Sequence, residues 1–132
     1  MIGYVEGGGV IAGCFALAAV VGRVSGRGAQ HDPQRAFTPA QRQAIFARAG
    51  GRCEHFGLLG VRCRHQAAHA DHVVPWSRGG ASTLANAQAL CARHNLAKGA
   101  RMPGRVSTRR LARRRRRYFP AGMPTEVERI RR

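Results

Sequence analysis

Asp71 and His72 stand side by side in this chain, followed at once by Val73, Val74 and Pro75. In an extended segment adjacent side chains point to opposite faces, so the two can do different work. A carboxylate is a hard oxygen ligand suited to Mg²⁺ or Mn²⁺. A neutral imidazole, with a pKa near working pH, can take a proton from water. Phosphodiester hydrolysis needs that division of labour. It requires an activated water, charge stabilisation at the phosphate and help for the leaving oxygen, and one divalent cation supplies the last two. A histidine met alone is more often a satisfied surface or core residue, and an aspartate alone a solvated or capping acid. The chain holds only 6 acidic residues, however, and one of them lies beside the candidate base.

A second set of chemically capable residues follows the cysteines. Cys14 lies in an apolar N-terminal stretch, away from Cys53, Cys63 and Cys91. Three cysteines make an awkward disulfide framework, which leaves buried reduced thiols or a zinc site completed by histidine. Cys91 and His94 are spaced so that both can ligate one ion at a helix start. Gly57 and Gly60 can turn the segment between Cys53 and Cys63 back on itself, and His55 and His65 are alternative ligands. Aromatic residues are few, so the core is small, and small cores commonly rely on a metal. Zinc is therefore preferred to unligated thiols.

These residues need elements to position them. Thr38-Pro39-Ala40-Gln41 carries an N-cap threonine, proline at the first helical position and glutamine at the third, a capping box. A helix is expected over 39–49, stopped by Gly50-Gly51. Val73 and Val74 favour a strand that Pro75 closes. Arg78-Gly79-Gly80 reads as a loop, residues 84–90 as mildly helical or irregular, and 92–98 as a short helix ending at Gly99. The expected order after the first helix is strand, loop, second strand or turn, then helix.

Asp71-His72, Pro75, Gly79-Gly80, Asn86, the run Cys91-Ala92-Arg93-His94-Asn95 and Lys98, in that order, resemble the signature of HNH endonucleases. The resemblance runs from Cys53 to Lys98, roughly a third of the chain. It implies an α+β fold: a small ββα-metal domain with a preceding helix, a structural zinc and flexible basic tails. It also implies a divalent-metal-dependent DNA endonuclease, nicking or cutting both strands. His72 matches the general base, and Asn86 the asparagine that orients it. Asp71 completes the catalytic metal site, which would take Mg²⁺, Mn²⁺ or Ni²⁺. Asn95 matches the third signature position, where histidine is usual and an asparagine carbonyl oxygen can replace it. The family's zinc is commonly held by two Cys-x-x-Cys pairs. Here the set would be Cys53, Cys63, Cys91 and His94, with a longer first gap and histidine in the second pair. Since the signature residue usually follows the last zinc ligand, His94 goes to zinc and Asn95 to the catalytic metal. The alternative is a zinc-stabilised DNA-binding module with weakened catalysis. Small proteins of this look often come from phages, which suggests DNA processing or packaging beside a terminase.

Charge points to the same class of partner. Lys and Arg number 23, giving a formal net charge of +17. Such an excess favours a polyanion, and DNA phosphates are the commonest. Arg78, Lys98, Arg101, Arg109, Arg110 and Arg113, Arg114, Arg115, Arg116 and Arg117 are the expected phosphate contacts. Residues 107–118 can be helical until Pro120, although so dense a like charge repels itself in isolation. Thr125 to Glu128 could cap a short terminal helix. The domain is expected over 37–100, with an Arg-rich nucleic-acid-binding tail over 101–132. Residues 1–36 are expected to be an apolar, Gly-rich extension and linker outside the fold. The apolar run 10–21 is short for a bilayer span, which takes about 20 residues, and lacks a basic region before it. A cytoplasmic protein without stable membrane association is the expectation, with secretion or anchoring as alternatives.

Overall fold

The computed structural model describes residues 31–128. The apolar run 10–21 lies outside them, as does any helix beyond residue 128. Among the described residues no helix is long and apolar enough to cross a membrane.

Helix α1 (Pro39–Arg48) starts as its sequence requires. The Thr38 side chain accepts from the Gln41 backbone N–H, and the Gln41 side chain returns a bond to the Thr38 N–H. Gly50 and Gly51 then take positive φ, 61° and 65°, turning the chain out of the helix. Strand β1 (His69–His72) pairs antiparallel with β2 (Ala87–Leu90), with Asp71 opposite Gln88 and His72 opposite Ala87. Short 3-10 turns at Trp76–Arg78 and Leu84–Asn86 shape the connection. Helix α2 (Ala92–Lys98) follows β2 directly, and α3 (Arg105–Arg115) is the last regular element among the described residues.

Three expectations need correction. The first strand ends at His72, before the two valines, because the backbone N–H of Val73 and Val74 is taken up by Asn86. Ala87–Leu90 has weak strand propensity yet forms β2. All four residues are buried, so pairing with β1 and burial override local preference. Residues 125–128 are not helical; the Thr83 hydroxyl and the Ala85 carbonyl bind Glu128 there instead.

One face of the hairpin packs on α1 through Phe37, Ile45, Ala49, Ala87 and Ala89. The C-terminal segment is docked as well. Arg115 is fully buried, 3.2 Å from Glu54 and donating to the Ala87 carbonyl. Arg48 reaches that same carbonyl from α1 and also bonds the Leu84 carbonyl. Burial and the neighbouring Arg115 lower the Arg48 pKa to about 10. Glu54 also accepts from the Ala89 N–H and from the Tyr118 hydroxyl, and Phe119 lies under both guanidiniums. One member of this arginine run, Arg115, is thus compensated by an internal carboxylate. Arg115, expected on DNA, is a core residue because its charge is consumed here.

Removing one member of a buried ion pair leaves the other uncompensated, which costs about 3–5 kcal/mol. Arg115→Ala is expected to destabilise the domain by about that amount in urea unfolding. Arg115→Met should be no milder while Glu54 is retained, whereas the double replacement with Glu54→Gln should recover part of the loss.

Candidate functional site

Two clusters flank the hairpin. The first gathers Cys53, Cys63, Cys91 and His94. Cys53 follows the glycine turn after α1. Cys63 is brought back to it by a small hairpin in which Phe56 bridges Arg62 and the Gly57 N–H bonds the Val61 carbonyl. Cys91 caps the start of α2, and His94 lies one turn inside it. The four candidate ligand atoms all lie within 4.8 Å of one another. His94 Nδ1 is 3.5 Å from Cys53 Sγ and 3.2 Å from Cys91 Sγ. In a tetrahedral site with Zn–S of ~2.3 Å and Zn–N of ~2.0 Å, neighbouring ligand atoms are about 3.5–3.8 Å apart. The donor set and its dimensions can hold zinc.

The electrostatics around this group pull in two directions: Cys53 is held as a thiol, while Cys91 and His94 are shifted toward their ligating forms. Burial pushes the Cys53 thiol up to about 11. At Cys91 burial also pushes upward, but the backbone N–H of His94 and the neighbouring thiols of Cys53 and Cys63 outweigh it and leave the thiol below its ordinary value. Burial, with His55 and Arg93 nearby, lowers the His94 pKa and keeps its ring in the neutral, ligating form. His55, an alternative ligand by sequence, stacks on His94 at 3.8 Å between centroids.

The second cluster surrounds the end of β1. Asp71 Oδ2 accepts from Gln88 Nε2 at 3.1 Å and pairs with Lys98 Nζ at 2.9 Å. Lys98, expected on DNA, is thus engaged with the candidate metal ligand. The ammonium and the Gln88 amide are the two groups that engage this carboxylate among the described residues. Asn95 precedes Lys98 by three residues, on the same side of α2. Its amide oxygen and the Asp71 carboxylate are both hard donors, the ligand type a divalent cation such as Mg²⁺ takes.

His72 takes the other face of the strand. Its ring stacks on Phe37 at 4.4 Å, and Nε2 lies 2.9 Å from Ser82 Oγ. Among the described residues Nδ1 has no hydrogen-bond partner. Burial, more than any charge, lowers the His72 pKa; Lys98 adds to that, while Asp71 and Asp32 oppose it. The ring is neutral near pH 7.

Asn86 does not touch His72. Its side chain closes the connecting loop, accepting from the Val74 N–H and donating to the carbonyls of Val74 and Ala81. Asn86 instead acts on the residues beside His72: its backbone carbonyl accepts from the Val73 N–H, and its side chain shapes the loop that presents Ser82. Gly80 belongs to the same closure. A Cβ there would lie 1.9 Å from the Val74 carbonyl oxygen and 2.7 Å from Asn86 Nδ2. Gly80→Ala must open the loop, at a cost of about 1–3 kcal/mol. The expected observation is a lower melting temperature together with slower exchange-broadened His72 signals in NMR.

Sequence reasoning missed Ser82 and the segment before α1. Residues 31–37 form a strap over the loop. Asp32 accepts from the Ser82 and Gln34 N–H groups, which hold its carboxyl below the usual range. Trp76 lies between His31 and Arg35 and donates to the Asp32 carbonyl. The expected boundary at residue 36 cuts through this packing. The scarcity of acids, used above to single out Asp71, would equally have flagged Asp32 and Glu54.

The expected phosphate contacts fall into distinct places. Lys98, Arg101, Arg110 and Arg114 line a groove of about 770 Å³ between α2 and α3, which also contains Val73 and Gln88 from the hairpin. Arg109, Arg110 and Arg113 share an outer recess of α3. Arg78 and Arg117 are exposed, while Arg116 pairs with Glu126 at 3.5 Å.

Comparison with known families gives one match: residues 51–101 fit the model of the HNH endonuclease family. No curated protein and no solved structure matches the chain.

Proposed function

Because residues 51–101 fit the HNH endonuclease family model, we propose that the chain is a divalent-metal-dependent DNA endonuclease. The observation that carries this reading is the division of β1 at its end. Asp71 faces α2 and the Lys98 ammonium, while His72 presents an Nδ1 without a hydrogen-bond partner among the described residues, from a ring whose pKa burial lowers. Asp71 and Asn95 would hold the catalytic ion, with Mg²⁺, Mn²⁺ and Ni²⁺ as candidates. Once bound, that ion would supply Lewis acidity at the scissile phosphate and its leaving oxygen. His72 Nδ1 would take the proton as the water oxygen bonds to phosphorus and the P–O ester bond breaks. Lys98, released from Asp71, and the arginines of the α2–α3 groove would bind backbone phosphates without reading bases. Asn86 supports the loop; Cys53, Cys63, Cys91 and His94 would hold a structural zinc. A place in phage DNA packaging beside a terminase rests on the resemblance alone.

Supercoiled plasmid with the protein and Mg²⁺, Mn²⁺ or Ni²⁺ tests this directly. Nicking or linearisation that stops with EDTA is expected. Tight DNA binding without cleavage under every metal would overturn the reading.

The Lys98–Asp71 pair favours a second reading, a DNA-binding module whose metal site is closed by its own lysine. Lys98→Ala distinguishes the two. A partly exposed ion pair contributes roughly 0.2–1 kcal/mol, so its removal should tighten Mn²⁺ binding a few-fold in calorimetry if the site is functional. No Mn²⁺ binding by either protein would favour the module.

A further inference from the structure

The working atom of the His72 side chain depends on which nitrogen carries the proton, and the structure fixes that choice through Ser82 and a strap of residues that precedes the matched segment. Ser82 Oγ contacts two groups: His72 Nε2 and the Gln34 carbonyl oxygen. A carbonyl only accepts, so the hydroxyl proton must point at Gln34. The lone pair left on Oγ then accepts from His72, which requires the proton on Nε2 and leaves Nδ1 bare. We infer that Ser82, held by the 31–37 strap, is a positioning residue that locks His72 in the tautomer able to receive a proton at Nδ1. The inference rests on the nuclease reading for its purpose, but the tautomer itself does not.

The strap is built to hold Ser82 in place. Asp32 accepts from its backbone N–H at 2.7 Å, and Gln41 Nε2 donates to its carbonyl at 2.9 Å. Gln34 is itself tied down, its N–H donating to Asp32 and its Nε2 to Gln41 Oε1. Phe37 stacks on the imidazole from the same segment, restricting rotation about the ring's bond to Cβ. Ser82 is buried, so water is poorly placed to replace its hydroxyl. All these bonds converge on one hydroxyl and one ring. The hydroxyl proton stays on Ser82 throughout; it sets a direction and is not transferred.

The test is nitrogen-15 NMR of the full chain, with His72 signals assigned by their loss in His72→Gln. The wild type should show a protonated Nε2 and a bare Nδ1 at neutral pH. Ser82→Ala should average the two nitrogens and lower kcat about tenfold with KM unchanged, the scale of one lost hydrogen bond. Ser82→Thr should restore both the signature and the rate. Asp32→Asn, which keeps the hydroxyl but weakens its backbone anchor, should move both in the same direction by less, and it carries the test should Ser82→Ala fail to fold. A wild-type ring protonated at Nδ1, or an unaltered Nε2–H signature in Ser82→Ala, overturns the inference. A wild type that shows the expected signature but cuts no DNA under any metal overturns the nuclease reading and leaves the positioning role intact.

Discussion

His72→Ala is expected to slow plasmid cleavage by about 10²- to 10⁴-fold, the usual contribution of a positioned general base. DNA binding and zinc content should change little, because among the described residues the imidazole stacks on Phe37 and bonds Ser82 and touches none of the four candidate zinc ligands. The pH profile gives an independent check. The base works unprotonated, and burial lowers its pKa from the ordinary value of 6.5. Activity should therefore rise with pH along an acid limb centred below 6.5. The limb should be missing from the residual rate of His72→Ala. Full activity in the alanine variant would remove His72 from the chemistry. An acid limb centred above the ordinary histidine value would show that a group other than a desolvated imidazole is titrating.

Removing zinc should have a still larger effect on the protein as a whole. Structural zinc binding contributes on the order of 10 kcal/mol in comparable small domains, as much as the total stability of most folded proteins. The chain purified without chelator should contain about one equivalent of zinc. A strong chelator should unfold it, with loss of helix signal and of DNA cleavage together. Cys91→Ala should reproduce this, because Cys91 is both a candidate ligand and the residue at which β2 gives way to α2. Cobalt should restore the fold and give the visible absorption of a tetrahedral thiolate site. An unchanged melting curve after chelation, with no metal found, would refute the site.

Much of this was legible in the sequence where local chemistry and structure coincide. The Thr38 capping box forms with both bonds, and α2 spans the residues expected of it. The Cys-His set was readable because Gly57 and Gly60 permit the return that its long first gap needs, and the four residues converge as that expectation required. What could not be read was long-range. β2 is a strand because of β1, not because of Ala-Gln-Ala-Leu. The arginine run looked solvated because nothing local pairs with it; its partner Glu54 is 61 residues away. Ser82 lacked any motif, since its importance arises from Gln34 and Asp32, themselves in a stretch that composition marks as linker. Asp71 and His72 were singled out by their types together with the signature around them, whereas the ion pair of Asp71 with Lys98 needed the helix packed beside the strand.

The Ala87 carbonyl, directly across the hairpin from His72, receives one guanidinium from Arg48 and another from Arg115. For a chain made from its N-terminus onward, this sets a schedule. The zinc ligands and both strands leave the ribosome first, but Glu54 remains a charge without its partner until Arg115 emerges. Tyr118 and Phe119, which close over it, come later still. The hairpin that carries the candidate base is thus finished only when nearly all of the described chain has been synthesised. Fragments that stop short of residue 115 would carry the whole matched segment yet lack its closing bolt, so a prematurely released chain would be poorly equipped to cut.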